Sequence, residues 1–301
     1  MAEDGFLPNA DDWAYAERLD ADFDRLDFRG MLDRYFELSP SIPGALRDRQ
    51  VAHILTAPGR AGRWLDALGL GDDEAGAVLD LGCGSGSFLA AAGRVGGRPL
   101  AGVDIAMRWL IVARKRLDEE GLGHVPLACG CAERLPFADG SFAGVVAGDV
   151  IEHVADQGAT LAEVHRVLKG GGRAFLASPN RFSLAPEPHV QVWGVGYLPR
   201  TWMAGYVRRV SGGDFRAIRT MGVGEWRRLL RDSPFGRGEV AAPGLPEGDL
   251  ALFGPLKAAA ARAYNRAAAT PPGRVAALAV GPLFHVTCTR TNPGPIEGSG
   301  R

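Results

Sequence analysis

The 301-residue chain is short of cysteine, of long apolar runs and of net charge, and each shortage excludes something. Its four cysteines include a close pair, Cys129-Gly130-Cys131, but the second ligand pair of a structural zinc site is missing, so free thiols and no metal are expected. No apolar run approaches the roughly 20 residues that cross a bilayer. The stretch MAEDGFLPNADDW is acidic and has no signal-peptide core. A cytoplasmic location is therefore expected, with peripheral contact as the one membrane option. The net charge of −1 hides an asymmetry: residues 1–40 are rich in Asp and Glu, whereas residues 200–237 carry nine arginines against three acidic residues, a segment that could meet an anion. A glycine is missing too. Behind the apolar run Ala77–Leu81 comes Gly82-x-Gly84-x-Gly86, and the third position of a Gly-x-Gly-x-x-Gly fingerprint falls on Ser87 or Leu89, depending on the starting glycine. That spacing argues against a dinucleotide such as NAD.

What is present is an ordinary globular composition, 46% hydrophobic and 23% charged, enough for one or two domains with a large core. Residues 11–38 and 44–69 read as helices. AVLDL then reads as a buried strand, and 86–93 as a short helix. PLAGVD is a second strand, and the following helix carries Ala106, Leu110, Ala113 and Leu117 on one face. VPLACG and FAGVVAG are further strands, a helix spans about 156–169, and RAFLAS is a fifth strand. Later come a helix at GEWRRLLRD, a strand at GEVAA, an alanine-rich helix and a last strand at LFHVTCTR. Alternating strands and helices predict a doubly wound α/β Rossmann-like sheet, mostly parallel with an antiparallel last strand, plus N-terminal helices and a lid insertion.

Ligands of such a sheet bind beyond the carboxyl ends of its strands. The first end carries the glycine turn behind Asp80. The second carries Asp104, about twenty residues on, where a carboxylate can accept from two ribose hydroxyls. The third carries Cys131, Ala132 and Glu133, and the fourth Gly148, Asp149, Glu152 and His153.

VLDLGCGSG, GVDI, CAERLPFADGSFAGVV, DVIEHV and LAEVHRVLKGGGRAFLASPN, in that order, resemble the successive motifs of class I S-adenosylmethionine-dependent methyltransferases, type 11 group. The resemblance covers residues 75–180. It implies that Asp80 and Gly82, Gly84 and Gly86 line the methionine and ribose part of the cofactor, and that Asp104 holds the ribose hydroxyls. It further implies that Ile105 packs on adenine, that Ala132 meets its edge between Cys131 and Glu133, and that Gly148 and Asp149 lie near the methionine end. Two positions depart from the family. Cys131, a weak acceptor, stands where Asp usually meets the adenine amino group, and Ser141-Phe142-Ala143 stands where Ser-Phe-Asp is usual. The expected boundaries are a helical flank at 1–70, a methyltransferase domain at 71–290 with an insertion at 180–221, and a disordered tail at 291–301.

The expected reaction is methylation of a small-molecule acceptor, on oxygen in a natural product, sugar or lipid-linked intermediate. The alternatives are C-methylation of a quinone-type or prenyl acceptor, and cofactor binding without turnover. Nucleic acid is disfavoured as acceptor, because the Asn/Asp-Pro-Pro-aromatic motif of amino-methylating enzymes is replaced by GDVIEH. His153 is the first candidate base and His189, beside Glu187, the second. The other reading of His153 is a helix cap or packing under the cofactor. Trp193, Tyr197 and Trp202 in the insertion supply apolar walls, and Arg200 and Arg208 adjoin them, which suggests an acceptor with an anionic group. Those arginines equally suit exposed helix faces.

Overall fold

The computed structural model describes residues 10–38, 44–70, 76–250 and 253–291. The expectation of a disordered tail falls, from residue 292 on, outside the described residues. Seven strands form one sheet: β1 (Ala77–Leu81), β2 (Leu100–Asp104), β3 (Leu127–Cys129), β4 (Phe142–Gly148), β5 (Leu168–Pro179), β6 (Glu239–Ala241) and β7 (Leu283–Thr289). Their order is β3-β2-β1-β4-β5-β7-β6. The first five are parallel; β7 pairs antiparallel with β5, and β6 antiparallel with β7. Chain order reverses between β1 and β4, so the rim above that junction is where a ligand crevice opens.

The central strands read as continuous apolar runs because both of their faces are covered. Side-chain alternation sends Leu79, Val145 and Leu176 to one face and Val78, Val146 and Phe175 to the other. The first face is covered by α6 (Gln157–Val167) and α8 (Val223–Asp232), with the fully buried Trp226 and Phe284. The second is covered by α3 (Gly44–Leu68), α4 (Ser87–Val95) and α5 (Met107–Glu119), with Phe88, Leu89 and Leu117 inside. A third cluster joins α1 (Ala10–Asp20) and α2 (Phe28–Glu37) to α5 through Leu19, Met31, Leu32 and Val112.

Two boundaries differ from expectation. The single helix at 11–38 is two helices, because aspartates in the middle bond elsewhere: Asp27 caps α2 by accepting from Gly30 N at 2.7 Å, and Asp22 pairs with Arg25 and Arg34. The helix expected to reach residue 169 stops at Val167, where Leu168 is extended and pairs with Phe142 as the start of β5. The alanine-rich stretch forms α10 (Pro255–Ala268) as expected, and a further helix, α11 (Pro271–Val280), follows after Thr270, whose side chain caps Gly273 N ahead of Pro271.

Between β5 and β7 lie a short 3-10 turn (Val195–Tyr197), α7 (Arg200–Ser211), α8, β6, the one-turn α9 (Glu247–Leu250), α10 and α11. The stretch through α7 has its own small core of Val192, Val195, Met203, Val207 and Phe215.

Candidate active site

At the end of β1 the chain turns back sharply. Gly82 has φ 69°, and a Cβ there would stand 2.3 Å from a methyl of Val150. Both conditions demand glycine. Gly82 N and Cys83 N donate to Val103 O, and Gly86, also left-handed, starts α4. Asp104 fixes the other side of the turn: one carboxylate oxygen accepts from Gly84 N and the other from Ala106 N, both at 2.8 Å. Each oxygen keeps a second lone pair for a further donor. Burial pushes the Asp104 carboxyl up, and the backbone donors pull it back. Asp80, one strand inward, is fully enclosed; burial holds its carboxyl well above the usual range, and the charge of Asp104 adds to this.

Ile105, Cys131 and Ala132 are half-buried along the β2 and β3 ends. The Cys131 thiol donates to Glu133 at 2.7 Å, and the other Glu133 oxygen accepts from Ala155 N and Asp156 N. Glu133 thus ties the β3 rim to the loop after β4. At the end of β4, Gly148 faces the Trp64 ring of α3, which a Cβ would meet at 2.1 Å. Asp149 adopts φ 56° and donates its N–H to Ala177 O.

The loop after β4 turns through a bond from His153 N to Val150 O at 2.8 Å. It places Glu152 inward and His153 outward. His189, in the segment after β5, meets His153 edge to face, with ring centroids 4.7 Å apart. Its Nδ1 lies 2.6 Å from Glu187 Oε1, and its Nε2 lies 3.8 Å from Glu152 Oε1. Glu152 is 0% exposed; its Oε2 accepts from Ser178 Oγ at 3.0 Å, and its Oε1 has no hydrogen-bond partner among the described residues. Burial pushes Glu152 up to about 8, helped by the charge of Asp149. His153 has one side open to solvent, but its crowded inner side, together with the facing His189, lowers it to about 4. Burial pulls His189 down, yet Glu187, Glu152 and Asp149 together outweigh this and raise it.

The two candidate histidines therefore meet, although 36 residues separate them in the chain. Glu152 was visible at the strand end, but its part in the cluster was not, because Ser178 and His189 come from elsewhere in the chain. The expected acceptor residues are arranged differently. Trp193, Tyr197 and Trp202 are exposed by 62%, 51% and 66%. Arg200 is engaged: it bonds Glu225 at 2.6 Å and Thr220 O at 3.0 Å, with Arg181 on the same carboxylate oxygen. Arg208 is exposed in the last turn of α7. A cavity of about 850 Å3 lies elsewhere, between α3 and strands β5 to β7, lined by Leu68, Arg173, Phe175 and His285. It contains none of the strand-end groups.

Residues 79–176 match a family described as "Methyltransferase domain". The demethylmenaquinone methyltransferase of Chlorobaculum parvum is 34% identical over 102 residues, 34% of this chain and 40% of that protein. The ubiquinone biosynthesis O-methyltransferase of Parvibaculum lavamentivorans is 30% identical over 170 residues, 54% of this chain and 61% of that one. The chain thus spans about two fifths to three fifths of the length of these relatives. Among solved structures, phosphoethanolamine N-methyltransferase 2 of Haemonchus contortus, in complex with S-adenosyl-L-methionine, superposes with a TM-score of 0.53 at 18% identity over 78% of this chain and 53% of that one. At that identity the likeness is one of fold.

Proposed function

Residues 79–176 are a class I S-adenosylmethionine-dependent methyltransferase domain of the type 11 group, and on that premise we propose that the chain methylates a hydroxyl of a small-molecule acceptor. The observation that carries the cofactor half is the pairing of a glycine turn with Asp104. Three left-handed glycines leave the backbone bare at the switch point, and both Asp104 oxygens keep an acceptor position for a ribose hydroxyl. When bound, the cofactor supplies a methyl group on a sulfonium, whose departure needs no further activation. The work left to this chain is positioning and proton removal.

Asp104 orients the ribose, Ile105 and Ala132 flank the base, and Cys131 spends its hydrogen on Glu133 rather than on adenine. Gly148 and Asp149 border the methyl end. His153 is neutral above pH about 4, so its nitrogen lone pair is free to accept the acceptor's proton, but the same lowering makes it a weak base whose contribution comes from its position. His189, held by Glu187, borders the same space. Trp193, Tyr197 and Trp202 offer exposed ring surface for an apolar acceptor body. With Arg200 held by Glu225, the residue open to an anionic group is Arg208.

A second reading, methylation at carbon in a quinone-type acceptor, is favoured by the similarity to a demethylmenaquinone methyltransferase. One experiment separates the two. The protein is incubated with methyl-labelled S-adenosylmethionine and an extract of cells that produce it, and the labelled product is isolated and treated to cleave methyl ethers. Release of the label supports transfer to oxygen, and retention supports transfer to carbon. Label in no small-molecule fraction overturns both.

A further inference from the structure

We infer that Glu152, His153 and His189 form a binding site for one divalent transition-metal cation at the acceptor side of the rim. One ligand atom from each residue lies within 4.8 Å of the others. Two donors about 2.1 Å from one ion stand at most about 4.2 Å apart, so a closure of roughly 1 Å by side-chain rotation completes the set. Two imidazole nitrogens and one carboxylate suit manganese, iron, cobalt or zinc better than magnesium or calcium, which prefer oxygen donors.

Two further observations point to a cation. Glu152 is 0% exposed, yet its Oε1 has no hydrogen-bond partner among the described residues and faces His189 Nε2 at 3.8 Å. A buried carboxylate oxygen costs several kcal/mol unless a proton or a cation satisfies it. The second observation is the setting of His189. Its Nδ1 donates to Glu187 Oε1 at 2.6 Å, and Glu187 is itself held by the N–H groups of His189 and Val190. This arrangement leaves the Nε2 lone pair turned toward Glu152, and a carboxylate behind the far nitrogen is how ligating histidines are oriented. Ser178 does the same for Glu152 by donating to Oε2.

His153 is exposed, so the open side of the trio is reachable from the rim. An acceptor bearing an oxygen donor is the class that would complete the coordination, which sharpens the hydroxyl reading. That use of the cation rests on the methyl-transfer proposal; the site itself does not, and with the cation bound the His153 lone pair is a ligand rather than a base, the coordinated hydroxyl then losing its proton more readily because the metal lowers its pKa.

The test is a Co2+ titration of tag-free, metal-stripped protein, followed by the visible d–d absorption band, with S-adenosylmethionine affinity and Tm measured on every variant. The expected result is one equivalent at saturation, loss of the band in His189→Ala and Glu152→Gln, and about 10- to 100-fold weaker binding in Glu187→Gln. Cofactor affinity should stay within a few-fold throughout. No saturable band in the parent protein overturns the site, and so does a band that survives both ligand substitutions. Should Glu152→Gln lower Tm enough to unfold the protein, His153→Ala, at an exposed position, must still weaken Co2+ at least tenfold. Cobalt binding without cofactor binding supports the site and sinks the methyl-transfer reading. Cofactor binding without cobalt does the reverse.

Discussion

The two halves of the rim are built on different physics. The half over β1 and β2 is backbone: three left-handed glycines, four N–H donors and one carboxylate, all within a stretch of 25 residues. The half over β4 and β5 is side chain: two histidines, Glu152, Glu187 and Ser178, drawn from the loop after β4, the end of β5 and the segment after it, with exposed aromatics beyond. The first is preorganised, so a ligand finds its partners in place and little order remains to be imposed. The second depends on side chains from separate segments meeting, so its geometry is set by tertiary packing rather than by one turn.

The largest way to break this contrast is Asp104→Ala. Losing two charge-assisted hydrogen bonds worth about 1.5 to 3 kcal/mol each should weaken S-adenosylmethionine by roughly a hundredfold or more in calorimetric titration. Unchanged affinity would remove the ribose assignment. His153→Ala should do the opposite, lowering turnover by about a hundredfold while leaving cofactor affinity within a few-fold. Equal loss in both measurements would erase the division between the halves.

Gly82→Ala probes rigidity rather than contact. A methyl group overlapping Val150, on backbone with φ 69°, should cost about 1 to 3 kcal/mol and appear as a lower Tm. The chain also has an acid limb to which His153 of the rim and His285 outside it, both lowered to about 4, contribute, and the two must be separated before rim titrations are interpreted. Burial, with Arg63 adding to it, lowers His285 to about 4. The unfolded chain takes up this proton below about pH 6.5, the folded chain only near 4. Stability present above pH 6.5 should therefore fall as pH drops from 6.5 toward 4, and His285→Asn should flatten that part of a Tm-against-pH curve. The smallest effect is Trp202→Ala. At 66% exposure it should change stability by less than about 0.5 kcal/mol while raising the KM for the acceptor several-fold. An unaltered KM would place the ring outside the acceptor's path.

Legibility in the sequence followed the same division. Strands β1, β2 and β4 were readable because both faces of each are buried, and the turn and Asp104 because strand ends are marked by a change of residue type. The break between α1 and α2 was not readable. It depends on Asp22 finding Arg34 twelve residues away, and helical periodicity continues through the gap. Arg200 looked available for an anion because its partner Glu225 lies in another helix. Glu152 stood in plain view beside His153, but only the packed structure buries it, gives it Ser178 and turns His189 toward it. Counting cysteine pairs bore only on a thiolate zinc site, and the mixed carboxylate and imidazole set proposed above becomes visible only once the chain is packed.

The placing of β7 between β5 and β6 has a consequence for how the chain is made. On the ribosome, β1 through β5 can pair as they emerge, but the outer edge of β5 stays uncovered until residues 283–289 arrive, more than a hundred residues later. Arg290 then bonds the carbonyl oxygens of His165, Arg166 and Leu168, fastening the last strand to the end of α6. Until that moment the nascent protein carries an apolar strand with an open hydrogen-bonding edge, the kind of surface that recruits other chains. Its vulnerable interval is thus set by translation speed over the segment between β5 and β7, so slowing synthesis there should increase aggregation even when the finished fold is unaltered.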